Sequence, residues 1–176
     1  MGSPLTNEMF EELLAAANHS AVHLESRDAY MADTSFTKWL GTGIVSTDAD
    51  DEWWISTIDK AVARGVEIRR ARIVSEPLSR YSRWLWECTG PVNLAAGEQV
   101  RWLPRHLTAG LATPPADFWV FDSAVLVWNH FTGEGEWADN EVTGDRALVS
   151  LCSDAFAAVW ERAVDHEDYR PSSRMR

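Results

Sequence analysis

Apolar residues recur along this chain at two spacings, a helical three-to-four and a strand-like two, and the switches between them predict its elements. Met9, Phe10, Leu13, Leu14 and Ala17 share one face of an amphipathic helix from Leu5 to Asn18, with Thr6 or Asn7 as its cap. Ala21 to Glu25 alternates like a short strand, and Phe36 to Leu40 is a brief helix that stops at Gly41-Thr42-Gly43. The acidic run Asp48 to Glu52 suits the positive end of a helix from about Asp50 to Arg64 that buries Trp54, Ile58, Ala61 and Val62. Gly65 closes that helix, and Val66 to Ser75 follows as a strand. Pro77, at a first-turn position, starts a helix to about Cys88 that Thr89-Gly90-Pro91 breaks. Glu98 to Leu103 is a strand, Pro104 to Pro115 a connection, and Asp117 to Phe121 with Ala124 to Phe131 a hairpin around Asp122-Ser123. A weaker strand spans about Trp137 to Val142. A last helix, about Asp145 to Val164, places Leu148, Leu151, Cys152, Ala155, Phe156, Val159 and Trp160 on its apolar face.

This order predicts an α/β fold: one domain, residues 1–168, with a mixed β-sheet flanked by helices, and a flexible basic C-terminal tail, residues 169–176. A chain of 176 residues is long enough to bury roughly 70% of its unfolded surface without staples. Cys88 and Cys152 lie far apart with no CxxC, which points to two buried thiols in a reducing cytoplasm. No window approaches the roughly 20 apolar residues of a membrane span, and Met1 to Phe10 lacks the pattern of a signal peptide. His19, His23, His106, His130 and His166 show no metal-ligand spacing, and the glycines form no phosphate loop or dinucleotide fingerprint, so neither metal nor cofactor is expected.

The net charge of −11 is unevenly laid out. Between residues 60 and 105 the cations Lys60, Arg64, Arg69, Arg70, Arg72, Arg80, Arg83, Arg101 and Arg105 outnumber Glu67, Glu76, Glu87 and Glu98, while both flanks are acidic. Arginine rather than lysine points to fixed pairing, either with carboxylates of the flanks or with an anionic ligand. Ser75-Glu76-Pro77-Leu78-Ser79-Arg80-Tyr81 joins a strand end to a helix N-terminus, which favours anions. Arg69, Arg72, Ser75, Ser79, Arg80, Arg101 and Arg105 are therefore candidate ligand-binding residues for an anionic small molecule, with Ser75 as a helix cap the structural alternative. Trp84 and Trp86 lie two apart on a helix and so point to different faces, which makes them candidate interface residues. The acidic remainder disfavours direct binding to duplex DNA.

Ala63-Arg64-Gly65-Val66-Glu67-Ile68-Arg69, Gln99-Val100-Arg101-Trp102-Leu103 and Phe118-Trp119-Val120-Phe121-Asp122 together resemble the repeat of the phospholipase D-like fold. In that family the catalytic strand carries His, any residue, Lys, four residues, then Asp; the His attacks phosphorus and the Lys neutralises the nonbridging oxygens. Here Asp122 matches the Asp, Asp117 stands at the Lys position and Pro115 at the His position. Proline has no nucleophilic nitrogen, and a carboxylate repels phosphate, so the motif is degenerate. The phrases His23 to Tyr30, Ile73 to Tyr81, Val100 to Arg105, Asp117-Phe118-Trp119 and Asp168 to Pro171 are similar to an actinobacterial domain family of unknown function, often encoded beside Xre-type helix-turn-helix regulators. The resemblances imply a noncatalytic regulatory or interaction module with a helix-turn-helix partner, and pairing into a homodimer. The alternatives are a phosphate-ester or nucleotide hydrolase using Asp117 and Asp122, or a toxin-like member of a two-gene pair.

Overall fold

The computed structural model of the chain describes residues 6–30 and 34–173. Leu5, the expected first residue of the opening helix, and residues 174–176 of the expected tail lie outside the described residues. Helix α1 (Asn7–Ala16) starts where the Thr6 hydroxyl accepts from the Met9 amide at 3.2 Å. Strand β1 (Ser20–Glu25) and helix α2 (Thr34–Thr42) follow. Helix α3 (Ala49–Ala63) opens on a capping box, in which the Asp48 carboxylate and that of Asp51 each accept from the other's backbone N–H. Strand β2 (Glu67–Val74) leads to helix α4 (Arg80–Thr89), and then come strands β3 (Gln99–Pro104), β4 (Asp117–Phe121), β5 (Val125–Phe131) and β6 (Trp137–Thr143). Helix α5 (Arg146–Arg162) and the two-residue strand β7 (Val164–Asp165) complete the fold.

These strands form one mixed sheet in the order β6-β5-β4-β1-β2-β3-β7. β1, β2 and β3 are parallel, and every other pair is antiparallel. Because strand side chains alternate, each face has its own core. On one face Phe10 and Leu14 of α1 and Ile58 and Ala61 of α3 pack against Ala21, Ile68, Trp119 and Phe121. On the other, Val149, Cys152, Phe156 and Val159 of α5 cover Leu24, Ala71, Ile73, Leu103, Phe118 and Leu126. The β4–β5 turn is tight because Asp122 and Ser123 both adopt positive φ, 50° and 51°. Among the described residues no helix is long and apolar enough to cross a membrane.

Several expectations need correction. Pro77 does not open α4; Ser79 does, its hydroxyl accepting from the Ser82 amide at 2.9 Å, and Pro77 lies upstream after a cis peptide bond. Gly90-Pro91 does not break the chain's helical course, which continues through a π-helical turn, Gly90–Leu94, whose opening positions need no N–H from Pro91. Leu148 and Leu151 lie on the outer side of α5, because the helix is apolar on two adjacent stripes and only the stripe of Val149, Cys152, Phe156 and Val159 meets the sheet. The tail is anchored, not frayed, at Tyr169, whose ring is 4% exposed, stacks on Trp102 and donates from its hydroxyl to Glu76 at 2.8 Å. The backbone of Ser172 donates to the same carboxylate at 2.9 Å.

Leu24→Ala opens a cavity beneath α5 and is expected to cost about 2–5 kcal/mol in urea unfolding. Leu151→Ala, at a side chain 54% exposed, is expected to stay within about 0.5 kcal/mol.

Candidate functional site

The carboxyl-terminal ends of β1, β2 and β3 and the first residue of the antiparallel β4 meet at one edge of the sheet. After Glu25 the chain leaves the sheet, and Ser26 to Tyr30 folds across this edge. Asp28 holds the segment: its carboxylate accepts from the Ser75 amide and hydroxyl, each at 2.6 Å, and its carbonyl accepts from the hydroxyls of Ser79 and Ser82. Arg105 completes the cluster, donating to the Ser75 hydroxyl at 3.0 Å, the Ser26 carbonyl at 2.7 Å and Asp28 at 3.2 Å. Ser75 therefore caps no helix. The anion that this strand end and Arg105 are built to receive is a carboxylate of the chain itself.

Beside this cluster Asp117 is buried and accepts from the Ser26 amide and hydroxyl, each at 2.8 Å, and from the Tyr30 hydroxyl. Burial pushes its carboxyl above the usual range, against the pull of those donors. Burial, with the nearby Glu25 and Asp117 carboxylates, likewise pushes the Tyr30 phenol up, so it remains a donor. Pro115 is exposed two residues upstream. Asp122 sits at the opposite end of β4, about 16 Å away by strand rise, and accepts from the amides of Asn18, His19 and Ser20 at 2.8 Å each. The two aspartates proposed for hydrolysis thus share no site, and each is committed to holding backbone in place. Among the described residues no cluster of His, Cys, Asp and Glu is arranged to hold a metal ion.

Inward from the edge lies a charged layer under α3 and α4. His23, Glu25, Arg70 and Arg72 all point to this face because they share strand parity and register, with His23 opposite Arg70 and Glu25 opposite Arg72. Glu25 bridges the two guanidiniums, contacting Arg70 Nη1 and accepting from Arg72 Nε at 2.6 Å. Glu98 takes Arg70 Nε at 2.7 Å, and Thr89 takes Arg72 Nη1 at 2.6 Å. The rings of Trp54 and Trp119 flank Arg70 at 5.1 and 5.4 Å, and Trp102 lies 5.1 Å from Arg72. His23 stacks on Trp119 with ring centroids 4.2 Å apart. Burial and the neighbouring Arg70 hold its pKa well below the ordinary value, so the imidazole is neutral. Arg70 and Arg72 hold Glu25 far below the usual carboxylate range, overcoming the opposing effect of its burial.

The candidate arginines therefore disperse. Arg72 is in the buried layer, Arg105 at the strand edge, and Arg80 is exposed at the start of α4. Arg69 and Arg101 lie on the opposite face beside Trp160, paired with Glu67 and Asp165 at 2.7 Å each. Of the two candidate interface rings, Trp84 is 7% exposed against Phe36 and Tyr81, and Trp86 is half-buried beneath Arg83, so neither presents an open aromatic surface. Sequence reasoning did not single out Glu25, Asp28, Tyr30 and Arg70 for roles here. A usable signal was the placement of Arg70 and Arg72 at the same parity as Ile68 and Val74, which puts two cations on a buried face in need of partners.

A domain of unknown function, DUF6879, matches residues 8–171. The chain belongs to this family. No curated protein sequence matches this DUF6879 chain. Among solved structures it is similar to Nuc from Salmonella typhimurium, a phospholipase D family member, with a TM-score of 0.53 at 12% identity, over 93% of this chain and 90% of that one. It is also similar to TrmBL2, an archaeal chromatin protein described as showing a novel mode of DNA binding, with a TM-score of 0.50 at 16% identity, over 93% of this chain. The DUF6879 chain spans about half, 52%, of the TrmBL2 chain. At these identities the likeness is one of fold, and the fold of this DUF6879 chain is phospholipase D-like.

Glu25 has its charge stabilised only in the folded state, so its contribution is present above the ordinary carboxylate pKa and is lost as pH falls below about 4.5 toward its depressed native value. Glu25→Gln leaves Arg70 and Arg72 without their shared counter-charge and is expected to cost about 3–5 kcal/mol at neutral pH. The variant's unfolding free energy is expected to fall less steeply below that pH than the wild type's, as read by urea titrations across the acid range.

Proposed function

We propose that this chain is a noncatalytic regulatory or interaction module on a phospholipase D-like scaffold, acting through a helix-turn-helix partner. The observation that supports the reading best is the fate of the catalytic positions. Where the fold's nucleophile and ammonium are expected, the chain has exposed Pro115 and a buried Asp117 whose carboxylate is taken up by Ser26 and Tyr30. At the adjoining edge the carboxylate of Asp28 is bound to Ser75 and Arg105. A phosphodiester approaching the motif positions meets a carboxylate where the ammonium is expected and a proline where the attacking imidazole is expected. In this reading contact with DNA belongs to the partner, because a chain of net charge −11 repels the phosphate backbone.

Two measurements test it. The purified chain is expected to hydrolyse bis(para-nitrophenyl) phosphate no faster than buffer does; sustained turnover that disappears in Asp117→Asn, with melting unchanged, overturns the noncatalytic reading. Co-purification with a helix-turn-helix regulator encoded beside it is expected to recover a complex. Recovery of nothing while both proteins are folded overturns the partner.

A further inference from the structure

We propose that the groove between α5 and the amino-terminal halves of the parallel strands binds a small molecule carrying one carboxylate on an apolar body. The groove lies on the face away from the charged layer and at the other end of the sheet from the Asp28 and Asp117 clusters. It exists because α5 packs over Leu24, Ala71, Ile73 and Leu103, which are in the carboxyl-terminal halves of β1, β2 and β3, and leaves the beginnings of these strands uncovered. The resulting cavity is about 520 Å³, within the range of small-molecule sites. Val22 and Val120 line it from the sheet, and Phe156 and Trp160 from α5, which gives a ligand body an apolar bed.

Its polar groups distinguish it from a packing gap. Arg69 Nε and Ser153 Oγ, both on residues lining the cavity, are buried atoms with no hydrogen-bond partner. Buried donors are ordinarily satisfied, and these two are satisfied by a ligand acceptor. Arg69 is held in place for the purpose: Glu67 takes its Nη2 at 2.7 Å, and its guanidinium lies 5.6 Å from the Trp160 ring centroid. Arg101 faces the same ring at 4.5 Å, but its donors are already engaged by Asp165 and the Trp160 carbonyl, so it fixes the ring and adds positive field. Glu67 and Glu161 also line the groove. They penalise a second negative charge on the ligand, which selects a monoanionic carboxylate over a phosphate.

The inference deepens the regulatory reading by giving it a ligand class, and it rests on that reading only for its biological meaning. The test is titration of naphthoate into the isotope-labelled full chain, followed by proton–nitrogen correlation spectra that include the arginine Nε–H signals. Neutral naphthalenemethanol and naphthyl phosphate are titrated in parallel. Naphthoate is expected to shift the Arg69 Nε–H and the backbone amides of Val22 and Ser153, and to bind about tenfold more tightly than either comparator. Arg69→Gln is expected to reduce naphthoate to the affinity of the alcohol, and Val22→Trp, which fills the floor, to remove binding of all three. Unchanged correlation spectra away from the groove show that each variant is folded. Ser153→Ala, a smaller change, is expected to lose about threefold. The site is overturned by equal affinity for the three probes, by shifts confined to residues outside the groove, by an Arg69→Gln chain that binds as the wild type does, or by no shift at saturating naphthoate. None of these results depends on diester turnover or on recovery of a partner, so a failed groove and a failed module are distinguishable.

Discussion

Two arginines buried on one face of β2, the middle of the three parallel strands, set the terms for the rest of this molecule. A guanidinium taken out of water is costly unless it is paired and hydrogen-bonded, so Arg70 and Arg72 require carboxylates from both directions. Glu25 of β1 supplies one side, and Glu98, just ahead of β3, the other, with Asn93 donating to Glu98 at 2.5 Å. Indole rings from α3, β3 and β4 fill the remaining space. The arrangement fixes register, because a slip of one residue in β2 would turn both cations onto the apolar face under α5 and separate them from every partner.

The same demand shapes the strand edge. With Glu25 consumed by the layer beneath, the following residues leave the sheet as a loop that satisfies itself, Asp28 with Ser75 and Arg105, Ser26 and Tyr30 with Asp117. The carboxyl-terminal edge of the parallel strands is thereby held together by side chains of the chain itself. On the α5 face the polar residues Ser20, Glu67 and Arg69 leave the sheet without a full apolar cover, and a groove opens there beside the unpartnered Arg69 Nε and Ser153 Oγ.

Much of this was legible in the amino-acid pattern. The strand expected from Val66 to Ser75 and the helices expected from the spacing of Phe10, Leu14, Ile58 and Ala61 lie within a residue or two of those in the structure, and the order of elements implied the mixed sheet that the structure contains. The arginine island was visible, but its division between two faces depended on strand parity combined with register, which no local pattern supplies. In α5, apolar residues occupy neighbouring stripes, so spacing alone put Leu148 and Leu151 inside with Cys152. Tyr169 looked like tail because its neighbours are polar and aperiodic; its anchor, Glu76, lies 93 residues away in sequence. The loop from Ser26 to Tyr30 was present in a family phrase, yet its role depends on tertiary contacts with Ser75, Arg105 and Asp117.

The docking of the C-terminal segment makes the sheet's two flanks unequal. β7 and the His166 amide bound to Val100 pair with the outer side of β3, and β6 is the border strand on the opposite flank of the sheet. That strand carries Asp139 and Glu141, with Glu134 and Glu136 in the turn before it. Like charges along that border oppose edge-to-edge pairing of two copies of the chain.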